Sequence, residues 1–395
     1  MPVPAAMPAR VASIDAYRGL VMTMMLAEVL RLPAVARAVP DSAVWQWLGW
    51  FQTHVEWRGL TPHDLIQPSF SFLVGVALPF SLAARRGRGE AVGQAVRHAS
   101  IRALVLVALG VFLRSLGRPN TNYTFEDTLS QIGLGYLPLV LFALASRRVQ
   151  VIALAVVLGG YFTLFAAWPL PGPGYDWPAV GVPLDWPHHP AGFAAHWDKN
   201  SQPAAAFDGW FLNLLPRAEP FRFNGGGYVT LSAVPTLGTM LLGLFAGERL
   251  RSDTPLRAKL GRLALAGGAC LAAGVLLDQS GVCPSVKRIW TPAWVLLSGG
   301  ICYLVLAGLY ALMDGAGYRR WAFPLVVVGA NSIAAYCLEH FAADFVRTAL
   351  TRHLGRGPFR AFGDGYEPVV LGAGVLAALW LALYWLWRNR LFVRI

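Results

Sequence analysis

Asp64-Leu-Ile-Gln-Pro-Ser-Phe-Ser-Phe-Leu-Val-Gly-Val-Ala-Leu-Pro-Phe-Ser-Leu-Ala83 carries a single charge, at its first position. As a helix rising 1.5 Å per residue it is ~30 Å long, the depth of a bilayer's hydrocarbon core. Runs of this kind recur, and their reading decides the fold. The 395 residues are 56% hydrophobic and only 14% charged, with a mean hydropathy of +0.49. A soluble chain carries roughly a quarter charged residues. Alternating ten-residue segments, the sign of a membrane β-barrel, are absent. The expected fold is therefore all-α and polytopic.

Ten spans are predicted, at residues 19–30, 64–83, 101–116, 128–145, 149–168, 228–247, 260–277, 290–313, 321–342 and 369–387, the first extending towards Val39. The first run follows Arg10, Asp15 and Arg18 and has no small-residue cleavage site, so it is expected to stay in the protein. Of the 33 Lys and Arg residues, 19 fall on the side that includes Arg10, Arg85, Arg147, Arg249, Arg319 and Arg388, in short loops and tails. The other 14 are spread over about twice as many residues on the opposite side. Basic short loops belong in the cytoplasm, which places both termini there. The net charge of +12 then reports topology. A nucleic-acid partner would need a basic folded domain, and none is visible.

The chain reads as a single domain over residues 1–395, with no clear internal repeat. Residues 169–227 form a long extracytoplasmic loop within it. Loops of that length usually have a function. This one combines Trp with Asp and Asn, as in Tyr175-Asp-Trp, His196-Trp-Asp-Lys-Asn and Asp208-Gly-Trp. Such a composition suits either a sugar- or headgroup-binding surface or an aromatic belt at the membrane interface and ordinary packing. His188, His189 and His196 do not have a recognised metal-ligand spacing, and no metal is expected. The four cysteines show no CxxC and no disulfide framework.

Two positions suggest chemistry. Asp15 and Arg18 share a helix face, and Glu28 lies ten residues beyond Arg18, ~15 Å along the axis and near mid-membrane. A carboxyl at that depth is a candidate functional group, the alternative being a protonated side chain bonded within the bundle. His54 precedes the second span. An imidazole titrates near neutrality and can accept and return a proton. Glu56 and Asp64 flank it in sequence, and either is placed to orient the ring.

Four segments carry a resemblance. Arg18-Gly19, the run from His54 through Val-Glu-Trp-Arg-Gly-Leu-Thr-Pro-His-Asp-Leu to Gly75, Val286-Lys-Arg-Ile-Trp-Thr, and Gly329-Ala-Asn-Ser-Ile-Ala-Ala-Tyr resemble signature segments of the heparan-α-glucosaminide N-acetyltransferase family. Residues 236–247 are similar to its mid-chain helix. The resemblance implies a polytopic enzyme that takes acetyl from cytoplasmic acetyl-CoA and places it on a sugar amine across the membrane. The family's active-site histidine matches His54, and its Asp-Leu pair matches Asp64-Leu65. Where the family carries a first-span Asn, this chain has Val29, with Glu28 beside it. The family's Leu-Gln-Arg motif appears as Leu129-Ser-Gln131, and its acidic turn before the sixth span is replaced by Asn224-Gly-Gly-Gly-Tyr.

The expected function is thus an acyltransferase with acetyl-CoA as donor. Its partners would be acyl-CoA, an extracytoplasmic sugar or glycan acceptor and the lipid bilayer, with a homodimer as a further option. His54, Glu28 and Asp64 are the candidate catalytic residues. His54 would act as general base or as acyl carrier. Arg18, Lys259 and Lys287 are candidate binding residues for the nucleotide or the acceptor, and Trp290 and Asn331 for lining an acyl channel. A non-enzymatic transporter or exporter of a glycan or lipid is the alternative, but no second half mirrors the prolines Pro68 and Pro79. Arg outnumbers Lys 30 to 3 in an Ala- and Gly-rich chain, which points to a bacterial inner membrane.

Overall fold

The computed structural model describes residues 11–393. Those residues are helical with connecting loops. They contain no strand, only an isolated antiparallel bridge between Arg58 and Val286.

Seven helices are long and apolar enough to cross a membrane, or up to nine if each of two bent pairs is one span, among the described residues. The seven are Pro62–Gly87, Val92–Ser115, Arg147–Ala166, Thr230–Arg251, Leu256–Gln279, Pro292–Gly315 and Asp364–Arg388. Each coincides with a predicted run. The first and ninth runs are the bent pairs. Ala12–Leu30 turns by 41° into Leu32–Ala38, and Arg320–Ala330 turns by 70° into Ser332–Leu354. The fourth run is a shorter apolar helix, Thr128–Leu144, with Pro138 inside it.

Five helices position the site: α1 (Ala12–Leu26), α2 (Ile66–Gly87), α3 (Thr128–Leu144), α4 (Ala233–Arg251) and α5 (Ser332–Leu354). α2 and α4 form the centre. Their backbones touch, because a Cβ added at Gly75 would overlap Met240 O and one at Gly243 or Gly247 would overlap Phe72 O or Val76 O. Small residues at such a seam let membrane helices approach where lipid offers no hydrophobic driving force. Gly19 of α1 makes the same approach to Leu325.

Two breaks matter for function. α1 ends in a 3-10 turn, Ala27–Leu30, closed by Arg31 at φ 51°. The second break, at Asn331, separates Phe323–Ala330 from α5. Its side chain clamps a passing segment, donating from Nδ2 to Leu391 O (3.0 Å) and accepting at Oδ1 from Val393 N (3.0 Å).

Two tryptophans of residues 169–227, Trp186 and Trp197, are core. Trp197 is fully buried and stacks on Phe165 with ring centroids 4.7 Å apart. Its indole donates to Val282 O, while Trp57 donates to the carbonyl of Trp197. Trp186 is buried against Trp57. These rings fasten the long loop onto the segment that carries His54. Trp210 stays exposed.

Candidate active site

His54 lies in the loop between the short helix Ala43–Phe51 and the start of α2. That loop is tied down along its length. Gln52 accepts from Leu32 N (2.9 Å) and donates to Ala27 O (2.5 Å), which fixes the loop to the break in the first span. Thr61 Oγ1 donates to Thr53 O (2.5 Å). Arg58 reaches Asp278 by two nitrogens, at 2.8 and 3.1 Å, and Gly59 N donates to Ser285 O (3.1 Å). The loop therefore lies beside the turn at residues 283–291, which carries Lys287.

Asp64 is the hub. Its side chain is fully buried and takes five donors. Oδ2 accepts from Thr61 N (3.0 Å), Thr61 Oγ1 (2.9 Å) and Val55 N (3.3 Å). Oδ1 meets His54 Nδ1 at 2.7 Å and Lys287 Nζ at 3.1 Å. A carboxylate saturated in this way cannot rotate, so it fixes the imidazole plane. Because Asp64 accepts, Nδ1 carries the proton, and Nε2 is the free basic nitrogen. Of the two flanking carboxylates, Glu56 turns away and pairs with His188 (3.0 Å). Burial and the nearby Lys287 ammonium push the His54 pKa below its usual value, outweighing the upward pull of Asp64.

His63 and Glu28 stand next to this triad. The His63 and His54 rings are 4.7 Å apart at their centroids. His63 is buried and its Nε2 meets Glu28 Oε1 at 3.1 Å, while the Glu28 side chain is 47% exposed. Glu28 was expected near mid-membrane, counting from Arg18. The helix begins at Ala12, however, so Glu28 lies ~24 Å along it, level with His63 at the start of α2.

His54, Glu28, His63 and Lys287 face one cavity of about 630 Å³. Its far wall is α5, through Tyr336, His340, Asp344 and Arg347, and its floor includes Gln67. Gln67 donates to Gln131 Oε1 (3.1 Å), which also accepts from Thr236 (2.9 Å). A second cavity, of about 750 Å³, opens beside Arg18 and Arg102 and is walled by Met22, Leu73, Leu106 and Ile132. Thr128 and Tyr336 line both cavities, so a single layer of side chains separates them.

The structure brings His54, Asp64, Glu28 and Lys287 to one place and sets Arg18 in the second cavity, ion-paired to Asp15 at 3.4 Å. The other three candidates line neither cavity. Lys259 donates to Leu250 O (2.8 Å), satisfying a carbonyl at the end of α4. Trp290 does not line a channel: it is buried at φ 52° with its indole bonded to Thr239 Oγ1 (3.1 Å), and so anchors the Lys287 turn to α4. Asn331 is spent on its backbone clamp. His63 and Tyr336 escaped the sequence reading. His63 adjoins Asp64, and Tyr336 ends the segment Gly329-Ala-Asn-Ser-Ile-Ala-Ala-Tyr, so both were within reach of it.

The remaining histidines are dispersed. His189 meets Asp198 at 2.7 Å, and His196 pairs with Trp168 O at 3.0 Å. Among the described residues no group of three or more His, Cys, Asp or Glu is arranged to hold a metal ion. No family model matches the chain, and no curated protein matches it.

Proposed function

We propose that this protein is a transmembrane acyltransferase. It moves an acetyl or similar acyl group from cytoplasmic acyl-CoA to an amine or hydroxyl of an extracytoplasmic sugar or glycan. One observation carries the reading. An imidazole oriented by a buried carboxylate faces one cavity, and a second cavity with arginines at its side ends at the same thin wall. The resemblance of the His54–Gly75 segment to the heparan-α-glucosaminide N-acetyltransferase family supports the same conclusion.

In this reading Arg18 and Arg102 meet phosphates of the nucleotide, and the thioester reaches the wall at Thr128 and Tyr336. The acceptor lies in the His54 cavity. Its nitrogen or oxygen attacks the thioester carbonyl, the C–S bond breaks, and the acceptor proton passes to His54 Nε2. The imidazolium then returns that proton to the departing thiolate. Purified protein incubated with radiolabelled acetyl-CoA and a panel of amino sugars tests this directly. Failure to consume acetyl-CoA with any acceptor, alongside glycan flux in vesicles, would favour the transporter alternative.

The reading requires His54 to face outwards. We propose ten crossings with both termini in the cytoplasm, counting the bent pairs and Thr128–Leu144 as spans, in a bacterial inner membrane. The Lys and Arg distribution supports this orientation. Cysteines placed at Gly172 and Gly87 test it, since a Cβ at either position meets nothing within 4 Å. Gly172→Cys should react with an impermeant maleimide on intact cells and Gly87→Cys only after lysis. The opposite pattern would put the histidine on the wrong side.

Glu28 is assigned to the acceptor, as an exposed carboxylate held by His63 at the mouth of the cavity. Glu28→Gln should lower turnover about tenfold, the scale of one lost charged hydrogen bond. The yield of folded protein should not change, because the side chain is half exposed. Wild-type turnover would reduce Glu28 to a structural partner of His63.

A further inference from the structure

Lys287 is one of only three lysines in the chain and is 233 positions from His54 in sequence. Its side chain is 7% exposed. Nζ lies 3.1 Å from Asp64 Oδ1 and 3.2 Å from His54 Nδ1. Since Nδ1–H already points at Asp64, the approach of Nζ to Nδ1 is not a hydrogen bond. Two donors converge on one carboxylate oxygen, and the ammonium is held against the edge of the imidazole.

That arrangement has a definite electrostatic consequence. A histidine backed by a carboxylate alone is biased towards the imidazolium, because an opposite charge within ~4–6 Å favours the charged form by 1–3 pKa units. Here a cation sits at 3.2 Å from the same nitrogen that meets Asp64 at 2.7 Å. Most other charged groups around the His54 cavity stand beside an opposite charge, Arg288 and the cavity-lining Arg31 being cations with no carboxylate paired to them by a salt bridge among the described residues. His63 is joined to Glu28, and Arg288 is turned to Val55 O and Gly226 O. Across the cavity Arg114 pairs with Glu126 and His340 with Glu339, while Asp344 and Arg347 share α5. The two charges that reach the His54 ring nitrogen itself are those of Asp64, at 2.7 Å, and Lys287, at 3.2 Å.

We propose that Lys287 is a positioning residue for His54: its buried ammonium cancels the charge of Asp64, so that the imidazole keeps the orientation a carboxylate imposes while remaining neutral, with Nε2 ready to accept a proton. This rests on the reading of His54 as the base. A lone Asp–His pair would gain orientation at the cost of a ring already protonated near neutrality. The added lysine separates the two effects. It also makes the imidazolium short-lived once formed, which favours return of the proton to the thiolate. Burial lowers the His54 pKa most, and the Lys287 ammonium acts in the same direction against the upward pull of Asp64.

The test is a histidine titration by NMR on protein in lipid nanodiscs, with His54 assigned by the loss of its signal in His54→Gln. Lys287→Met should raise the His54 midpoint by at least about one pH unit. Lys287→Arg, which keeps the charge, should restore most of the wild-type value. Asp64→Asn combined with Lys287→Met removes both charges, and its midpoint should return to within about half a unit of wild type. An unchanged midpoint in Lys287→Met would overturn the proposal. If that variant does not fold, a double variant titrating a full unit below wild type would overturn it instead, since Asp64 would then have been acting uncompensated. In the acyl-transfer assay, the acid limb of kcat/KM should move upwards with the midpoint in Lys287→Met, whereas a merely structural lysine would depress the rate at every pH. The titration needs no substrate, so it can fail while acyl transfer is confirmed, and the reverse.

Discussion

His54→Ala should leave the protein folded and able to bind acyl-CoA, yet slower in acyl transfer by at least ~100-fold, the lower end of what a positioned general base contributes. The fold is spared because the ring is 40% exposed to its cavity and the loop is held by Gln52, Arg58, Gly59 and Thr61. Nucleotide binding should be spared because Arg18 and Arg102, the residues proposed to meet its phosphates, lie in the other cavity. Binding of a non-hydrolysable acyl-CoA analogue and single-turnover acetyl transfer measure the two quantities separately. If His54 is the base, it must be neutral to act, so the wild-type rate should rise with pH through the His54 pKa. Burial and Lys287 lower that pKa. The acid limb of kcat/KM should therefore fall below pH ~6.5, the value of an unperturbed histidine. Near wild-type transfer in His54→Ala would mean that the resemblance describes a fold without its chemistry.

Gly243→Val should abolish the folded protein or nearly so. The new Cβ would overlap Phe72 O, and a backbone carbonyl inside a helix cannot move aside without its helix. Gly75 meets Met240 O in the reverse sense, and Gly247 meets Val76 O one turn on. The two central helices would have to separate along much of their length. Overpacking a core ordinarily costs ~1–3 kcal/mol, and this site has less slack than a side-chain contact. Size-exclusion profiles and thermal melts in detergent should show aggregated or strongly destabilised protein. Gly93→Val is the control, since a Cβ there meets nothing within 4 Å. A Gly243→Val protein that melts with the wild type would show that α2 and α4 do not touch as described.

Seven helices long and apolar enough to cross a membrane were legible because an unbroken apolar run is a strong signal and needs no partner to be read. The bent pairs were legible only as runs. Their turns depend on Arg31 in a left-handed conformation and on Asn331 gripping residues 391 and 393, which are tertiary facts. At the site, His54 and Asp64 could be paired from sequence because they flank the same helix start. Choosing Asp64 over Glu56 could not, since the choice is made by Thr61 and Val55 holding one carboxylate and His188 drawing off the other. Lys287 joins them only because the Arg58–Val286 bridge and the Arg58–Asp278 pair lay two distant loops side by side. No periodicity announces such a contact. The loop tryptophans left two readings open for a related reason: composition cannot say whether a ring faces a sugar or, like Trp197, another ring in a packed interior.

The wall shared by the two cavities has an electrical consequence. If the two cavities open to opposite sides of the membrane, as the proposed orientation requires, the voltage would no longer drop evenly across ~30 Å but would concentrate over the remaining septum, the layer at Thr128 and Tyr336. Moving one elementary charge through it takes ~2.3 kcal/mol per 100 mV. An acetyl group is uncharged, whereas the phosphates of the nucleotide are not. If acyl transfer runs as proposed, the acyl group leaves the thiolate one way and the acceptor's proton passes back to that thiolate the other way, so no net charge crosses the septum and a cell could run the reaction without discharging its membrane.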